Sequence, residues 1–316
     1  MSTPSPHHPL RDRAVLWACL SAFVVWVILV KPLRAEPPPP RSGPAPFAEG
    51  EVALYELRYG PLKAGTLTLE VAPIDELPGA LESAPATGGT DAGTSAGQKK
   101  DAEAFWRFVG RARSSSWISR FYRVDDSIEG WVERDSFRPR TLEIRVDESG
   151  ERGTRHVLYD HDEGLARYER QRIYHRKRGP SMLTRDDPLD REAFDAFSLF
   201  FYLRTLALAP GDRLELPVHE NGKNRRVQID VVGLEEVATA LGDRQALHLE
   251  IRWSLEGKLA SRRAYHLWLA NDDSRLPLRF AAELGFGSLR GVLQEVRTAE
   301  PNSPLDGVGE TFTAQR

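Results

Sequence analysis

The clearest signal along the chain is a two-residue alternation of apolar and polar positions. In residues 51–59, Ala53, Tyr55, Leu57 and Tyr59 share one face while Glu56 and Arg58 point the other way, the period of a half-buried strand. Past Gly60-Pro61 and Gly65 the alternation resumes, with Leu67, Leu69 and Val71 against Thr66, Thr68 and Glu70, so the two segments predict a hairpin. Residues 104–112, 142–146, 155–159 and 165–172 read as further strands, separated by Gly-containing turns at Glu148-Ser149-Gly150 and Asp162-Glu163-Gly164. Residues 213–218, 225–232, 246–254, 261–269, 276–284 and 288–296 continue the pattern. Asn221-Gly222 between the first two of these is the strongest hairpin signal in the chain, and Glu256-Gly257 marks another turn. Between residues 112 and 142, Trp117, Phe121 and Tyr122 are expected to face inward from a turn or two of helix.

One segment changes period. Asp187 as N-cap, Pro188 at the first helical position, Asp190 in the first turn and Pro210-Gly211 as the stop predict a helix. Phe194, Phe197 and Phe201 form its stripe, and Leu199, Tyr202, Leu203 and Leu206 make it apolar over most of its circumference, so it is expected to be covered by a sheet or to plug the mouth of a curved one. Many strands and one long apolar helix predict a mainly β fold, an antiparallel β-barrel or half-barrel; a layered α/β fold would need more helices.

The N-terminus carries a different pattern. Residues 14–30 hold no charge, and 17 residues at about 1.5 Å each span about 25 Å, enough for a single transmembrane helix. The run is longer than the apolar region of a cleaved signal peptide, and the cleavage site after Ala35 would place Leu33 where a small side chain is wanted, so a signal anchor is favoured over cleavage. Arg11 and Arg13 before the span match Lys31 and Arg34 after it, which leaves the positive-inside bias small. The expected arrangement is a cytoplasmic tail over residues 1–13, a single pass through the inner membrane and an exported main domain in the periplasm. Residues 31–46, with Pro37 to Pro40 consecutive, read as a stiff polyproline spacer. Residues 78–101 lack aromatic and β-branched apolar side chains and read as a disordered insertion in the β domain of residues 47–299; a flexible tail is expected over residues 300–316.

Charge and cysteine content narrow the chemistry. With 43 Lys+Arg against 46 Asp+Glu the net charge is −3, which argues against a nucleic-acid partner. Cys19 is the only cysteine and lies inside the apolar run, so no disulfide, cysteine metal cluster or exported thiol nucleophile is expected.

Several blocks resemble the DUF 3108 family of exported bacterial proteins of unknown function. They are Gly50-Glu51 through Tyr55 with Gly60-Pro61-Leu62-Lys63-Ala64-Gly65; Asp195-Ala196-Phe197-Ser198 through Phe201-Tyr202-Leu203-Arg204 to Pro210-Gly211; Gly233 through Glu236-Val237 to Gly242; and Leu267-Trp268-Leu269-Ala270 with Asp273 and Arg275-Leu276-Pro277. The resemblance runs from about Phe47 to Val296, interrupted by residues 78–101. It implies an exported, β-rich, envelope-associated domain and brings no catalytic residues with it.

No motif spells out a reaction. The eight histidines show no HxH or HExxH spacing, and His248 and His266 in predicted strands read as structural. Asp160-His161-Asp162 reads as a charged turn, and Asn271-Asp272-Asp273-Ser274 as an Asx-rich turn lacking the Gly and distal Glu of an EF-hand. P-loop and GxGxxG motifs are missing from the sequence, and no catalytic residue, metal or cofactor is assigned. Arg170, Arg172, Arg176, Lys177 and Arg178 are weighed as a solvated strand edge against a patch for anionic headgroups or polysaccharide. The aromatic load of the helix, Phe194, Phe197, Phe201 and Tyr202 with Phe200, suggests an apolar, lipid-like ligand. The reading is a non-enzymatic, membrane-tethered binding or scaffold domain; the rival is a hydrolase acting on an envelope polymer, which would need carboxylates converging in a cleft.

Overall fold

The alternating segments assemble into one antiparallel sheet. The computed structural model describes residues 40–74, 78, 104–174, 179–255, 258–259, 264–284 and 287–298. The expected span over residues 14–30, nearly all of the insertion, His175 to Arg178 and the C-terminal tail lie outside the described residues. Among the described residues no helix is long and apolar enough to cross a membrane.

The strands are β1 (Glu51–Tyr59), β2 (Leu62–Ala72), β3 (Phe105–Ser114), β4 (Asp125–Glu133), β5 (Pro139–Asp147), β6 (Glu151–Asp160), β7 (Leu165–Tyr174) and β8 (Pro180–Pro188), then β9 (Arg213–Glu220), β10 (Lys223–Thr239), β11 (Gly242–Leu255), β12 (Lys258–Leu259), β13 (Tyr265–Ala270), β14 (Pro277–Leu284) and β15 (Gly287–Thr298). The helices are α1 (Ser116–Ser119) and α2 (Ala196–Thr205). The sheet runs β8-β7-β6-β5-β4-β3-β2-β1-β15-β14-β13-β11-β10-β9, with β12 hydrogen-bonded to β11. Two meanders, β1 to β8 and β9 to β15, are joined where β1 pairs with β15.

The sheet is not closed. Its edges, β8 and β9, are consecutive in sequence, and the segment joining them contains α2. At one corner β8 meets β10, where Asn224 Nδ2 donates to Pro188 O at 3.1 Å, and Phe194 of the joining segment forms a parallel bridge with Val218 of β9. Of barrel and half-barrel, the open form is the one adopted.

The helix is shorter than expected. It begins at the Asp195 cap, eight residues past Asp187, because Asp187 and Pro188 still belong to β8, where the Asp187 carboxylate accepts from Arg185 Nε at 2.7 Å. Asp195 Oδ1 accepts from the N–H of Phe197 at 2.7 Å and of Ser198 at 2.9 Å, and Ser198 Oγ accepts from the Asp195 N–H at 3.2 Å, closing a capping box. Burial of Phe197, Ser198, Leu199, Phe201, Leu203 and Arg204 covers the helix all round, as its composition requires. Trp117 and Phe121 correct another expectation: at 51% and 73% exposed they face solvent, because α1 is a single turn, while Tyr122 beyond it is buried.

Candidate functional site

The sheet curls around α2, and the contacts of α2 decide what space remains. At its C-terminal end the interior is solid: Phe201 stacks on Phe108 with ring centres 3.8 Å apart, Phe47 meets Trp106 edge-on at 5.1 Å, and Phe194 stacks on Tyr202 at 4.6 Å. Arg204 is buried there, its guanidinium held by Glu51 at 2.7 and 3.1 Å and donating to the carbonyls of Pro46 and Ser274. Arg41 N donates to Thr205 O at 2.8 Å, so the entering chain is stitched across the helix end.

Toward the N-terminal end, Phe197 sits against Gly110 and Gly130 of β3 and β4. A Cβ at either glycine would come within 3.4 Å of its ring, so the glycines permit the close helix–sheet approach. Phe197 separates two cavities. One, of about 80 Å³, is apolar and lies among Leu199, Phe200, Leu203, Trp253, Leu267 and Phe280. The other, of about 50 Å³, is bounded by Val157, Tyr159 and Tyr168 together with Arg155, Asp195 and His219.

The second cavity adjoins a polar wall on the concave face of β4 to β8. His219 is buried with Nε2 lacking a hydrogen-bond partner among the described residues, and burial depresses its pKa to about 4, so it is neutral at pH 7. Asp195 Oδ2 is likewise without a hydrogen-bond partner, and burial raises the pKa of that carboxyl against the pull of its capping N–H groups. Toward the rim, the Tyr122 hydroxyl hydrogen-bonds Glu148, and Glu148 in turn shares a hydrogen bond with Asp126. Burial raises the pKa of Asp126 to about 7 and that of Glu148 above the ordinary carboxyl value. Glu151 Oε1 pairs with Arg172 Nε at 2.8 Å.

Of the helix aromatics singled out in the sequence, Phe197 and Phe200 line a cavity, whereas Phe194, Phe201 and Tyr202 are packed into the aromatic core. Arg170 and Arg172 lie on β7 between β6 and β8 rather than on an edge, and strand alternation puts them on the concave face with Tyr168. Arg176, Lys177 and Arg178 lie outside the described residues. Sequence reasoning missed Arg155, although it shares a strand face with Val157 and Tyr159 and its inward direction is readable from that alternation. It missed Asp195 by placing the helix cap at Asp187.

The other singled-out histidines have structural partners. His161, in the turn between β6 and β7, faces the carbonyls of Arg191 and Pro139, each at 2.9 Å, and pins the turn to β5 and to the segment before α2. On the convex face His248 contacts Glu235 at 2.6 Å and His266 at 2.9 Å while stacking on Trp268. In residues 271–274, Asp272 Oδ1 accepts from the Ser274 N–H at 3.0 Å, an Asx turn.

No curated protein matches the chain. Among solved structures, the fold is similar to a β-barrel-like protein of domain of unknown function DUF1849 from Brucella abortus, at 10% identity and a TM-score of 0.47 over 79% of this chain and 98% of that one. It is also similar to a hypothetical protein from Chlamydia trachomatis, at 10% identity and a TM-score of 0.31 over 82% of this chain and 92% of that one. The sequence profile of DUF3108, described as a protein of unknown function, matches residues 83–294, more than half of the chain; the chain therefore belongs to the DUF3108 family.

Proposed function

We propose that the domain is a non-enzymatic binding or scaffold module of the cell envelope, tethered to the inner membrane by residues 14–30 and working through its concave polar wall rather than by enclosing a lipid. The observation that carries this reading is the packing of α2. With Phe201 stacked on Phe108 and Phe197 set against the glycines of β3 and β4, the apolar cavity beside the helix among the described residues holds about 80 Å³. Ligand pockets for drug-sized molecules run to about 300–1,000 Å³. The helix takes the place a carried lipid would occupy, which favours the scaffold over the enclosed carrier among the expectations raised by the sequence. Native mass spectrometry of the full chain released from detergent tests this: the expected mass is that of the polypeptide alone, and a stoichiometric co-purified lipid would overturn it.

A second reading, hydrolysis of an envelope polymer, draws on the hydrogen-bonded carboxyls of Asp126 and Glu148, since paired acids with raised pKa values are what general acid catalysis uses. Its test is the release of reducing ends from purified envelope polymer by the wild-type protein and not by Asp126→Asn.

A further inference from the structure

Two cations on the concave face form no direct ion pair or hydrogen bond among the described residues. Arg155 of β6 and Arg170 of β7 are direct cross-strand partners. They share the face that buries Val157, Tyr159 and Tyr168. Side chains of such partners leave the backbone about 4.5–5.5 Å apart, and like charges placed there repel.

The neighbouring arginines are matched with acids: Arg172 with Glu151 at 2.8 Å, Arg185 with Asp187 at 2.7 Å and Arg225 with Glu220 at 3.6 Å. Arg155 and Arg170 have no hydrogen-bond or ion-pair partner among the described residues, and the Nε of Arg170 is buried without one. Glu151 is near enough to feel both cations and Glu148 to feel Arg155, but Glu148 hydrogen-bonds Tyr122 and Asp126, and Glu151 pairs with Arg172. Burial raises the pKa of both carboxyls. Arg155 lines the polar cavity beside His219 and Asp195, so the pair stands at the edge of existing interior space.

We infer that Arg155 and Arg170 form a clamp for a phosphate oxyanion, either free phosphate or the phosphomonoester headgroup of a lipid, at the polar end of the concave face. A guanidinium presents a planar fork of donors to phosphate oxygens, and two forks side by side suit a group carrying about −1.5 to −2 charge at pH 7. The inference deepens the reading of the domain as a binding module and rests on it: the polar wall is the working face, and the ligand's recognised part is its dianionic group. It also accounts for a cross-strand pair of like charges on the interior face.

The test uses the full chain in a non-ionic detergent, with its melting temperature followed against inorganic phosphate and against chloride at matched ionic strength. Phosphate is expected to raise the melting temperature saturably, by roughly 3–5 °C at ten times its dissociation constant, and chloride is not. Arg155→Gln and Arg170→Gln should each abolish the phosphate response while melting no lower than wild type in phosphate-free buffer, because each relieves the repulsion. A parallel titration compares dihexanoyl phosphatidic acid with dihexanoyl phosphatidylcholine. A response to inorganic phosphate identifies the free oxyanion as sufficient, and a response to phosphatidic acid alone identifies the lipid headgroup as the source. The proposal is overturned by no response to either probe, by an equal response in the variants, or by both variants being destabilised without ligand. Those failures would leave the lipid-free mass expected above unchanged, whereas a lipid found in the native mass would sink the filled-interior reading whatever the arginines do.

Discussion

On one side of α2, β11, β13 and β14 present Trp253, Leu267 and Phe280 to the helix; on the other, β6 to β8 present Arg155, Arg170, Arg172 and Arg185. The same sheet and the same alternation give opposite interiors. The apolar side is stabilised by area removed from water and needs no matching of partners. The polar side is tolerable only where each charge finds a counter-charge or hydrogen bond, so every departure from pairing is informative. Arg204 with Glu51 shows such pairing completed deep in the fold, its guanidinium 4.9 Å above the ring of Phe47. Arg155 with Arg170 shows it left open near the polar cavity. The difference separates a region whose charges are paired from the one that carries the proposed clamp.

The contrast can be broken most forcefully on the apolar side. Phe201→Ala removes a ring stacked on Phe108 in the closed end of the core and is expected to cost about 3–5 kcal/mol by urea denaturation. A cost under 1 kcal/mol would mean that the helix is not a core element. Next in size, Glu51→Gln leaves the buried Arg204 without its counter-charge and should cost about 3 kcal/mol. Replacing both, Glu51→Leu with Arg204→Met, should recover much of that loss; if the double variant is the worse, the ion pair is worth more than its desolvation.

The polar side responds to pH. Asp126 has its folded pKa raised to about 7, so its contribution is fully present below the ordinary carboxyl pKa and is lost as pH rises through about 7. His219 has its folded pKa depressed to about 4, so its contribution is present above the ordinary imidazole value and is lost as pH falls from about 6.5 toward 4. Asp126→Asn should therefore remove the decline in stability between pH 5 and 8, by roughly 2 kcal/mol at pH 8, and leave the acid side of the curve unchanged. An unchanged alkaline limb would show that Asp126 is ionised and solvated in the native state. The smallest effect belongs to the apolar cavity. Ala282→Val adds two methyl groups beside Phe280 and Leu289 and should stabilise by about 0.5–1 kcal/mol, measured as a shift in the denaturant midpoint.

How much of this the sequence revealed follows the same division. Where the inward positions are apolar, the period is plain: Ala53, Tyr55 and Leu57 define β1, and Leu67, Leu69 and Val71 define β2. The Asn221-Gly222 turn is equally legible, since both residues take positive φ, 51° and 78°, as a two-residue hairpin requires. Where the inward positions are charged, alternation leaves no hydrophobic trace. β8 was hidden for this reason: its concave positions include Arg185 and Asp187, and Pro-Ser-Met-Leu-Thr-Arg-Asp-Asp-Pro reads as a loop leading to a helix. The N-cap was misplaced with it, because Asp187-Pro188 imitates a helix start that Asp195 and Ser198 in fact supply. Phe194, Phe201 and Tyr202 were correctly read as interior, but an aromatic stripe does not say whether it faces a ligand or another aromatic ring. The arginine pair lay beyond reach because it depends on the β6–β7 register, which is fixed only when the hairpin forms.

The central claim is that α2 is a permanent part of the interior and not a plug that gives way to a ligand. Native-state hydrogen exchange of the Phe197 to Leu203 amides tests it directly. These amides should exchange only through global unfolding, with the same free energy as the β1 and β15 amides at the middle of the sheet. Exchange through a lower-energy local opening of α2, with β1 and β15 still protected, would contradict the filled interior.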